Sequence, residues 1–178
     1  MKYYAVQIRS SAEQKFIEQA KKQLLDCSDF KRIIYLQREM TIFRKGIKAK
    51  EIQPVFPGYV FIELNNSINQ EIFSIVRHTP NFYRFLRSNQ DVRELSGNDL
   101  EIVKHFLDFG ETAKESIVFF NDQDRIVVTK GPLKGLEGNI IKVDKRKKRA
   151  KIQIDFNNSQ MTIDLSFELM DKKDADTK

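Results

Sequence analysis

Residues 55–64, VFPGYVFIEL, decide the fold of the first part of this chain. Pro57 and Gly58 predict a kink, because proline restricts φ and glycine tolerates backbone conformations that other residues avoid. The run that follows, residues 59–64, is rich in aromatic and β-branched side chains, which is typical of a strand. We therefore predict that residues 59–64 form a central strand of a sheet.

The segment before this strand predicts a strand followed by a helix. Residues 3–8 alternate in polarity and are rich in β formers. Ser10 with Glu13, or Ser11 with Gln14, would form a capping box at the start of the helix. Its apolar positions recur at helical spacing and are Phe16, Ile17, Ala20 and Leu24.

The segments around and after the central strand complete an α+β pattern. Residues 44–53 are highly charged and lack periodicity, which indicates a flexible hairpin tip or loop. Residues 72–76 suit a short helix that ends at Pro80, and residues 82–86 suit a short strand. A second amphipathic helix is predicted at residues 94–109. The fold class is therefore α+β, with helices packed on an antiparallel sheet.

The character of the sequence changes after the second helix. Apolar periodicity stops at residues 110–116, and short alternating segments beyond it predict a small all-β barrel. These segments are residues 125–129, 139–144, 150–155 and 161–165. The predicted organisation is a first domain at 1–109, a linker at 110–120, a second domain at 121–171 and a charged tail at 172–178.

Composition limits the class of protein and the kind of partner. A chain of 178 residues with 40% hydrophobic content can form one ordinary domain or two small ones. The formal charge of +6 favours a polyanionic partner. The single Cys27 excludes an internal disulfide and suits a reducing cytoplasm. No signal peptide and no membrane-spanning run are evident, so we expect a cytoplasmic protein that does not bind membranes and is a monomer.

Catalytic and cofactor motifs are not evident, so we expect no enzyme activity, no cofactor and no metal. His78, His105 and Cys27 are too few to form a zinc site of His and Cys ligands. No nucleophile motif accompanies either histidine. The glycines of residues 131–138, GPLKGLEG, lack the spacing and the Gly-Lys-Ser/Thr ending of a P-loop. We predict backbone roles for them: Gly131 and Gly135 in a turn, and Gly138 at a bend or close approach where a strand begins.

A dense basic segment follows the glycine turn. Residues 125–153 contain ten cations and two acids, and residues 145–149 are five consecutive cations at a predicted hairpin tip. Cations grouped in this way can bind the phosphates of an RNA helix, which is recognised mainly by shape and backbone position. The alternative is a solvated tip without a ligand.

Four segments resemble the NusG family of transcription elongation factors, in the family's order and over nearly the whole chain. They are residues 3–24 (YYAVQIRSSAEQKFIEQAKKQL), 55–64, 75–86 (IVRHTPNFYRFL) and 121–154 (NDQDRIVVTKGPLKGLEGNIIKVDKRKKRAKIQI). The resemblance implies an N-terminal NGN domain and a C-terminal KOW domain, an SH3-like barrel. Within the family, GPLKGLEG together with RKKRAKIQI is more similar to the specialised antiterminator paralogues of the LoaP type than to housekeeping NusG.

The resemblance implies that the NGN domain binds the clamp helices of the largest subunit of RNA polymerase. Phe56, Pro57, Gly58 and Tyr59 would present the apolar contact surface. The alternative is that Phe56 and Tyr59 are core residues of a strand.

The resemblance also assigns Arg77, His78 and Thr79 to the non-template DNA strand of the transcription bubble. A cation, an imidazole and a hydroxyl suit contacts to phosphate and to an unstacked base. The alternative is a helix C-terminus at which cations complement the helix dipole.

The KOW domains of relatives bind ribosomal protein S10 or Rho, or contact RNA, and the basic segment favours nascent structured RNA here. The implied RNA-binding residues are Lys130, Lys134, Lys145, Arg146, Lys147, Lys148, Arg149 and Lys151. Phe156 lies where relatives grip protein partners. Three functions remain open: a specialised RNA-reading paralogue, a housekeeping NusG that couples polymerase to S10 or Rho, and a ribosome-associated KOW protein that binds RNA.

Overall fold

The computed structural model describes residues 1–45, 47–86, 89–90 and 92–170. Its chain forms two compact units. The first consists of Met1–Leu36 and Phe56–Glu101, and the second consists of Gln37–Val55 and the chain from Ile102 onward. The predicted charged tail at 172–178 lies outside the described residues.

Within the described residues the α-helices lie in the first two thirds of the chain, and strands dominate the last third. In chain order the elements are β1 (Lys2–Ile8), α1 (Glu13–Leu24), β2 (Phe30–Ile34), β3 (Gln37–Arg44), β4 (Ile47–Pro54), β5 (Tyr59–Leu64), α2 (Gln70–His78), β6 (Phe82–Phe85), α3 (Gly97–Leu107), β7 (Thr112–Ala113), β8 (Ser116–Phe120), β9 (Ile126–Lys130), β10 (Ile140–Asp144), β11 (Arg149–Phe156) and β12 (Ser159–Leu169). The predicted α+β class is confirmed.

The first unit contains a four-stranded antiparallel sheet in the order β2-β5-β1-β6. Strand β5, the predicted central strand, pairs with β1 from Lys2↔Leu64 to Gln7↔Tyr59 and with β2 on its other side. The core joins the two helices to the sheet through fully buried side chains. Among them are Val6, Phe16, Leu24, Ile62, Ile72 and Val76.

Helix α1 begins without the predicted capping box. Its N-cap is Ala12, with no side-chain cap, and Ser11 adopts a positive φ of 66°. The buried Glu13 carboxylate accepts a hydrogen bond from the backbone N–H of Gly58 at 2.9 Å. The capping-box prediction was wrong. The Glu13 carboxylate binds the backbone of the kink before β5 and does not cap the start of α1.

A buried carboxylate also stabilises the sheet of the first unit. The Glu63 side chain is 2% exposed and accepts hydrogen bonds from Arg32 at 2.6 Å, Lys31 at 3.0 Å and the Tyr3 hydroxyl at 3.2 Å. Burial by itself opposes ionisation, but the hydrogen bonds from Arg32 and Lys31 outweigh it, so the pKa of Glu63 is lowered. Glu63 therefore stays ionised and joins β1, β2 and β5.

The second unit contains two sheets. One has the order β4-β3-β7, and the other is five-stranded with the order β10-β11-β12-β8-β9. The segment predicted as a flexible tip or loop contains β4, which pairs with β3 from Gln37↔Pro54 to Arg44↔Ile47. Cross-strand pairing stabilised a strand that hydrophobic periodicity did not indicate.

The predicted linker at 110–120 is also partly in strands. Strand β7 pairs in parallel with β3, and β8 pairs with β9 and β12. β3 and β12 are distant in sequence, so local patterns did not reveal their pairing with β7 and β8, whereas β8 and β9 form a local hairpin. Within the described part of the chain, no helix is both long and apolar enough to cross a membrane.

Candidate functional site

The kink before β5 is a tight turn fixed at three points. The N–H of Tyr59 donates to the carbonyl of Phe56 at 3.1 Å, and Gly58 has φ of +77°, as expected for a type II turn with Pro57 and Gly58 at its centre. The Gly58 N–H donates to Glu13, and its carbonyl accepts from Ile8 at 2.8 Å. The orientation of Tyr59 is therefore set by the sheet and by α1.

The four predicted polymerase-binding residues differ in solvent exposure. Phe56 is 1% exposed and packs edge-on against Phe61 with ring centroids 5.5 Å apart. Gly58 is buried as well, whereas Pro57 is exposed and Tyr59 is half-buried. Burial favours the core alternative for Phe56 and leaves Pro57 and Tyr59 as the candidates for direct contact.

The C-terminus of α2 presents two of the three predicted DNA-binding side chains. Arg77 and His78 are exposed, and the Arg77 guanidinium lies 5.9 Å from the centre of the Phe73 ring. Nδ1 of His78 lies 2.8 Å from the carbonyl oxygen of Ser74, which can only accept, so Nδ1 carries a proton. Thr79 is 2% exposed, and its hydroxyl donates to the carbonyl of Ile75 at 2.8 Å. Thr79 therefore ends the helix and is not available for DNA.

A cationic cleft crosses strands β10, β11 and β12, and we call it the basic cleft. Pairing places Lys142 opposite Lys151 and Lys151 opposite Asp164. The cleft has a volume of about 160 Å³ and is lined by Lys142, Asp144, Lys147, Arg149, Lys151 and Asp164. The Asp144 carboxylate accepts a hydrogen bond from the Lys147 backbone N–H at 2.8 Å, so part of its accepting capacity is used within the turn.

Lys142 was missing from the predicted RNA-binding set. It is exposed and lies two residues before Asp144 on the same strand, so alternation alone places both on one face. What brings Lys142 beside Lys151 is the antiparallel register of β10 and β11.

Two of the five consecutive cations, Lys145 and Arg149, are held by side-chain contacts within the protein, and the backbone of a third, Lys148, is held as well. Lys145 forms an ion pair with Asp124 and lies 4.2 Å from the centre of the Phe120 ring. Lys148 has a positive φ of 52°, and its carbonyl accepts from the Phe167 N–H. Arg149 donates from Nη2 to the carbonyl of Thr41 at 2.7 Å. The remaining two, Arg146 and Lys147, are exposed.

Lys130 and Lys134 belong to the predicted RNA-binding set, but the structure does not bring them beside this cluster. Lys130 ends β9, and the Lys134 ammonium donates to the carbonyl of Thr129 at 3.2 Å. Lys145 instead contacts Asp124, which precedes the opposite end of β9. The length of β9 therefore separates these lysines from the hairpin tip.

The glycine turn has one close approach, at Gly131 and not at Gly138. Gly131 and Gly135 have positive φ values of 97° and 87°, as expected for turn glycines. A Cβ on Gly131 would lie 2.6 Å from Cα of Ser116, whereas a Cβ on Gly138 would meet nothing within 4 Å. The expected close approach at Gly138 was wrong, and Gly138 lies instead in a 3-10 turn, Glu137–Asn139, directly before β10.

The protein-partner role predicted for Phe156 conflicts with its burial. Phe156 is 3% exposed and continues the buried alternation of β11 through Ile152 and Ile154. Asn157 and Asn158 both have positive φ, which is typical of a tight hairpin turn that preserves this register. The Phe156 ring is therefore a core side chain of the five-stranded sheet.

Arg38, a half-buried cation, interacts electrostatically with two residues of the basic cleft, Asp164 and Arg149. The pKa of Arg38 is lowered to about 10, mainly by burial. The Asp164 carboxylate opposes this change, and the Arg149 cation adds to it. Arg38 nevertheless remains protonated at neutral pH and adds positive charge to the cleft.

Comparison of the sequence with known proteins assigns the chain to a family. The sequence model described as "Transcription termination factor nusG" matches residues 1–104, which is more than half of the chain. The chain belongs to the NusG family. The predicted NusG family is thereby confirmed, and the matched residues include three of the four sequence segments.

Relatives of the chain are similar over most of their length. NusG of Rickettsia felis, named a transcription termination/antitermination protein, is 22% identical over 97% of this chain and 90% of its own. NusG of Bacillus subtilis, which has the same descriptive name, is 25% identical over 79% of each chain. A solved structure described as "Domain interaction in Thermotoga maritima NusG" aligns with 93% of this chain and 93% of its own. The TM-score is 0.56 and the sequence identity is 18%, which shows a shared fold. The protein is a NusG-type transcription termination/antitermination factor.

Proposed function

We propose that this NusG protein is a specialised antitermination factor of the LoaP type. It binds RNA polymerase through residues 1–109, suppresses pausing and termination, and contacts nascent structured RNA through its KOW-type second domain. The observation that carries the RNA assignment is the basic cleft, in which four cations face two carboxylates.

The geometry of the basic cleft suits phosphates on an RNA helix. Lys142 and Lys151 project side by side from neighbouring strands, and Lys147 extends from the adjoining turn. Flexible ammonium groups at these positions can neutralise phosphates without reading base sequence. A-form RNA is recognised largely through its shape and backbone, which fits a surface of this kind.

The proposal is tested by titrating the full chain, in one buffer, with an RNA hairpin, a DNA duplex of the same stem sequence, purified ribosomal protein S10, purified Rho and RNA polymerase. We expect the RNA hairpin to bind most tightly, with an affinity that falls as salt is raised. Tight binding of S10 or Rho with no preference for RNA would contradict the proposal and favour a housekeeping NusG. RNA binding in the absence of polymerase binding would favour a ribosome-associated protein.

Replacing Tyr59 by alanine should weaken binding to RNA polymerase by about 1–3 kcal/mol, the range expected for an aromatic anchor at an interface. Tyr59 is half-buried on a rigid turn, so its ring can contact a partner with little loss of conformational freedom. The measurement is the affinity of the folded variant for polymerase without nucleic acid. Tyr83→Ala is the matched control, because Tyr83 is an exposed tyrosine on β6. Equal affinities for wild type and Tyr59→Ala would remove Tyr59 from the interface.

A photocrosslinker at position 78 should label the non-template DNA strand in a paused elongation complex. His78 is exposed beside Arg77, so a strand passing the end of α2 could contact both side chains. A crosslinker at Glu18, on the exposed surface of α1, is the control. Labelling of protein alone from position 78, in a complex shown to contain the factor, would reject the DNA contact.

A further inference from the structure

A second cavity adjoins the basic cleft and shares two of its residues. This cavity, which we call the hairpin cavity, has a volume of about 400 Å³. It is lined by Ile42, Phe43, Arg44, Glu51, Gln53, Lys147 and Arg149. Lys147 and Arg149 also line the basic cleft, so the two spaces are adjacent, and we call them together the depression.

The hairpin wall of this depression is held in place by buried hydrogen bonds. The N–H of Thr41 donates to Oγ of Ser166 at 2.9 Å, and the carbonyl of Thr41 accepts from Arg149 at 2.7 Å. The Thr41 hydroxyl donates to Glu115 at 2.5 Å, and Glu115 is paired with Lys50. The adjacent residues Ile42, Phe43 and Arg44 therefore have a defined position relative to β11.

The two parts of the depression differ in chemistry. The basic cleft is lined by lysine, arginine and aspartate alone, which suits phosphate. The hairpin cavity adds apolar side chains, of which Phe43 is 49% exposed, and an amide at Gln53. It also contains the Glu51 carboxylate, 3.2 Å from Arg44, which repels a phosphate but can accept hydrogen bonds from a nucleobase. The hairpin cavity is thus suited to a base and the cleft to the backbone beside it.

We propose that the hairpin cavity holds an unpaired base of the RNA whose neighbouring phosphates occupy the basic cleft. The inference rests on the proposed RNA-binding function and specifies its ligand: an RNA helix interrupted by a bulged or looped-out nucleotide. Unpaired nucleotides are the usual targets of sequence-specific RNA recognition, because their faces can contact aromatic side chains and their edges are free for hydrogen bonds. The β3–β4 hairpin then contributes to RNA selection together with the KOW-type region.

The test compares two RNA hairpins of identical stem sequence, one with a single bulged adenine analogue whose fluorescence reports stacking and one fully paired. We expect the full wild-type chain to prefer the bulged RNA and to change the fluorescence of the analogue. Phe43→Ala should reduce that preference by about 5- to 100-fold, the range for one base on an aromatic side chain, while binding of the paired RNA stays unchanged. Ile52→Ala removes an exposed apolar side chain of the same hairpin that does not line the cavity, and it should leave both affinities unchanged.

The outcomes separate this inference from the function on which it rests. Equal binding of bulged and paired RNA by the wild type, with both sensitive to salt, would reject the base site and keep the RNA-binding cleft. A preference for bulged RNA that survives Phe43→Ala and is lost in Gln53→Ala would still support the cavity, through the Gln53 amide. A preference that survives both substitutions would overturn the assignment. Failure of both RNAs to bind would reject the proposed function itself.

Discussion

Replacing Lys142, Lys147 and Lys151 together by glutamine is expected to lower the affinity for structured RNA by about 100-fold at low salt. The three ammonium groups line the basic cleft, where they would neutralise phosphates and release counterions from the RNA. The slope of log affinity against log salt should become shallower by about 2–3, since each lost phosphate contact removes about one unit. The measurement is a series of RNA titrations at increasing salt concentration with the full chain.

The choice of residues and of the control follows from the structure. Arg149 is left unchanged because its bond to Thr41 holds the fold, and Lys148 is left unchanged because it does not line the cleft. The control removes the same number of charges from the exposed face of α1, in the variant with Lys15, Lys21 and Lys22 changed to glutamine. If the control lowers RNA affinity and the salt slope as much as the cleft variant does, the effect comes from net charge and the basic cleft is not the site.

Replacing Gly131 by alanine should destabilise the five-stranded sheet by about 3–5 kcal/mol. The new Cβ would lie 2.6 Å from Cα and 2.9 Å from Oγ of Ser116, a residue that is fully buried. The Ser116 hydroxyl also accepts a hydrogen bond from the Leu133 N–H at 3.0 Å, so its displacement would leave a buried donor unpaired. The positive φ of 97° adds backbone strain for any residue with a side chain.

Substitutions at two other glycines of the same turn distinguish the two causes of the expected destabilisation, which are the close contact with Ser116 and the positive φ. Gly135→Ala encounters the positive φ of 87° but no atom nearer than 3.8 Å, so it should cost only about 1–2 kcal/mol. Gly138→Ala meets neither condition and should change stability by less than about 0.5 kcal/mol. The measurement is hydrogen exchange of β8 and β12 together with urea denaturation. A cost at Gly131 no greater than the cost at Gly135 would show that Ser116 moves aside without penalty.

Part of the candidate site was predictable from residue types and their spacing. The turn around Pro57 and Gly58, the exposed Arg77 and His78, and the basic hairpin tip all depend on neighbours within a few residues. The burial of Phe156 was also predictable, because Ile152, Ile154 and Phe156 alternate on one face of a strand. The protein-partner role assigned to it came from the family resemblance, and the alternation was the better guide.

Sequence alone determined the α+β class, the central strand β5, the family and the concentration of positive charge in the second half. These properties follow from periodicity, composition and motif order, which do not require knowledge of distant contacts. Only the tertiary structure decided which cations remain available for a ligand. The register of β10 and β11 brings Lys142 beside Lys151, and long-range contacts engage Lys145 with Asp124 and Arg149 with Thr41. The same pairing rule explains β4, because this charged strand is stabilised by its partner β3 rather than by its own hydrophobicity.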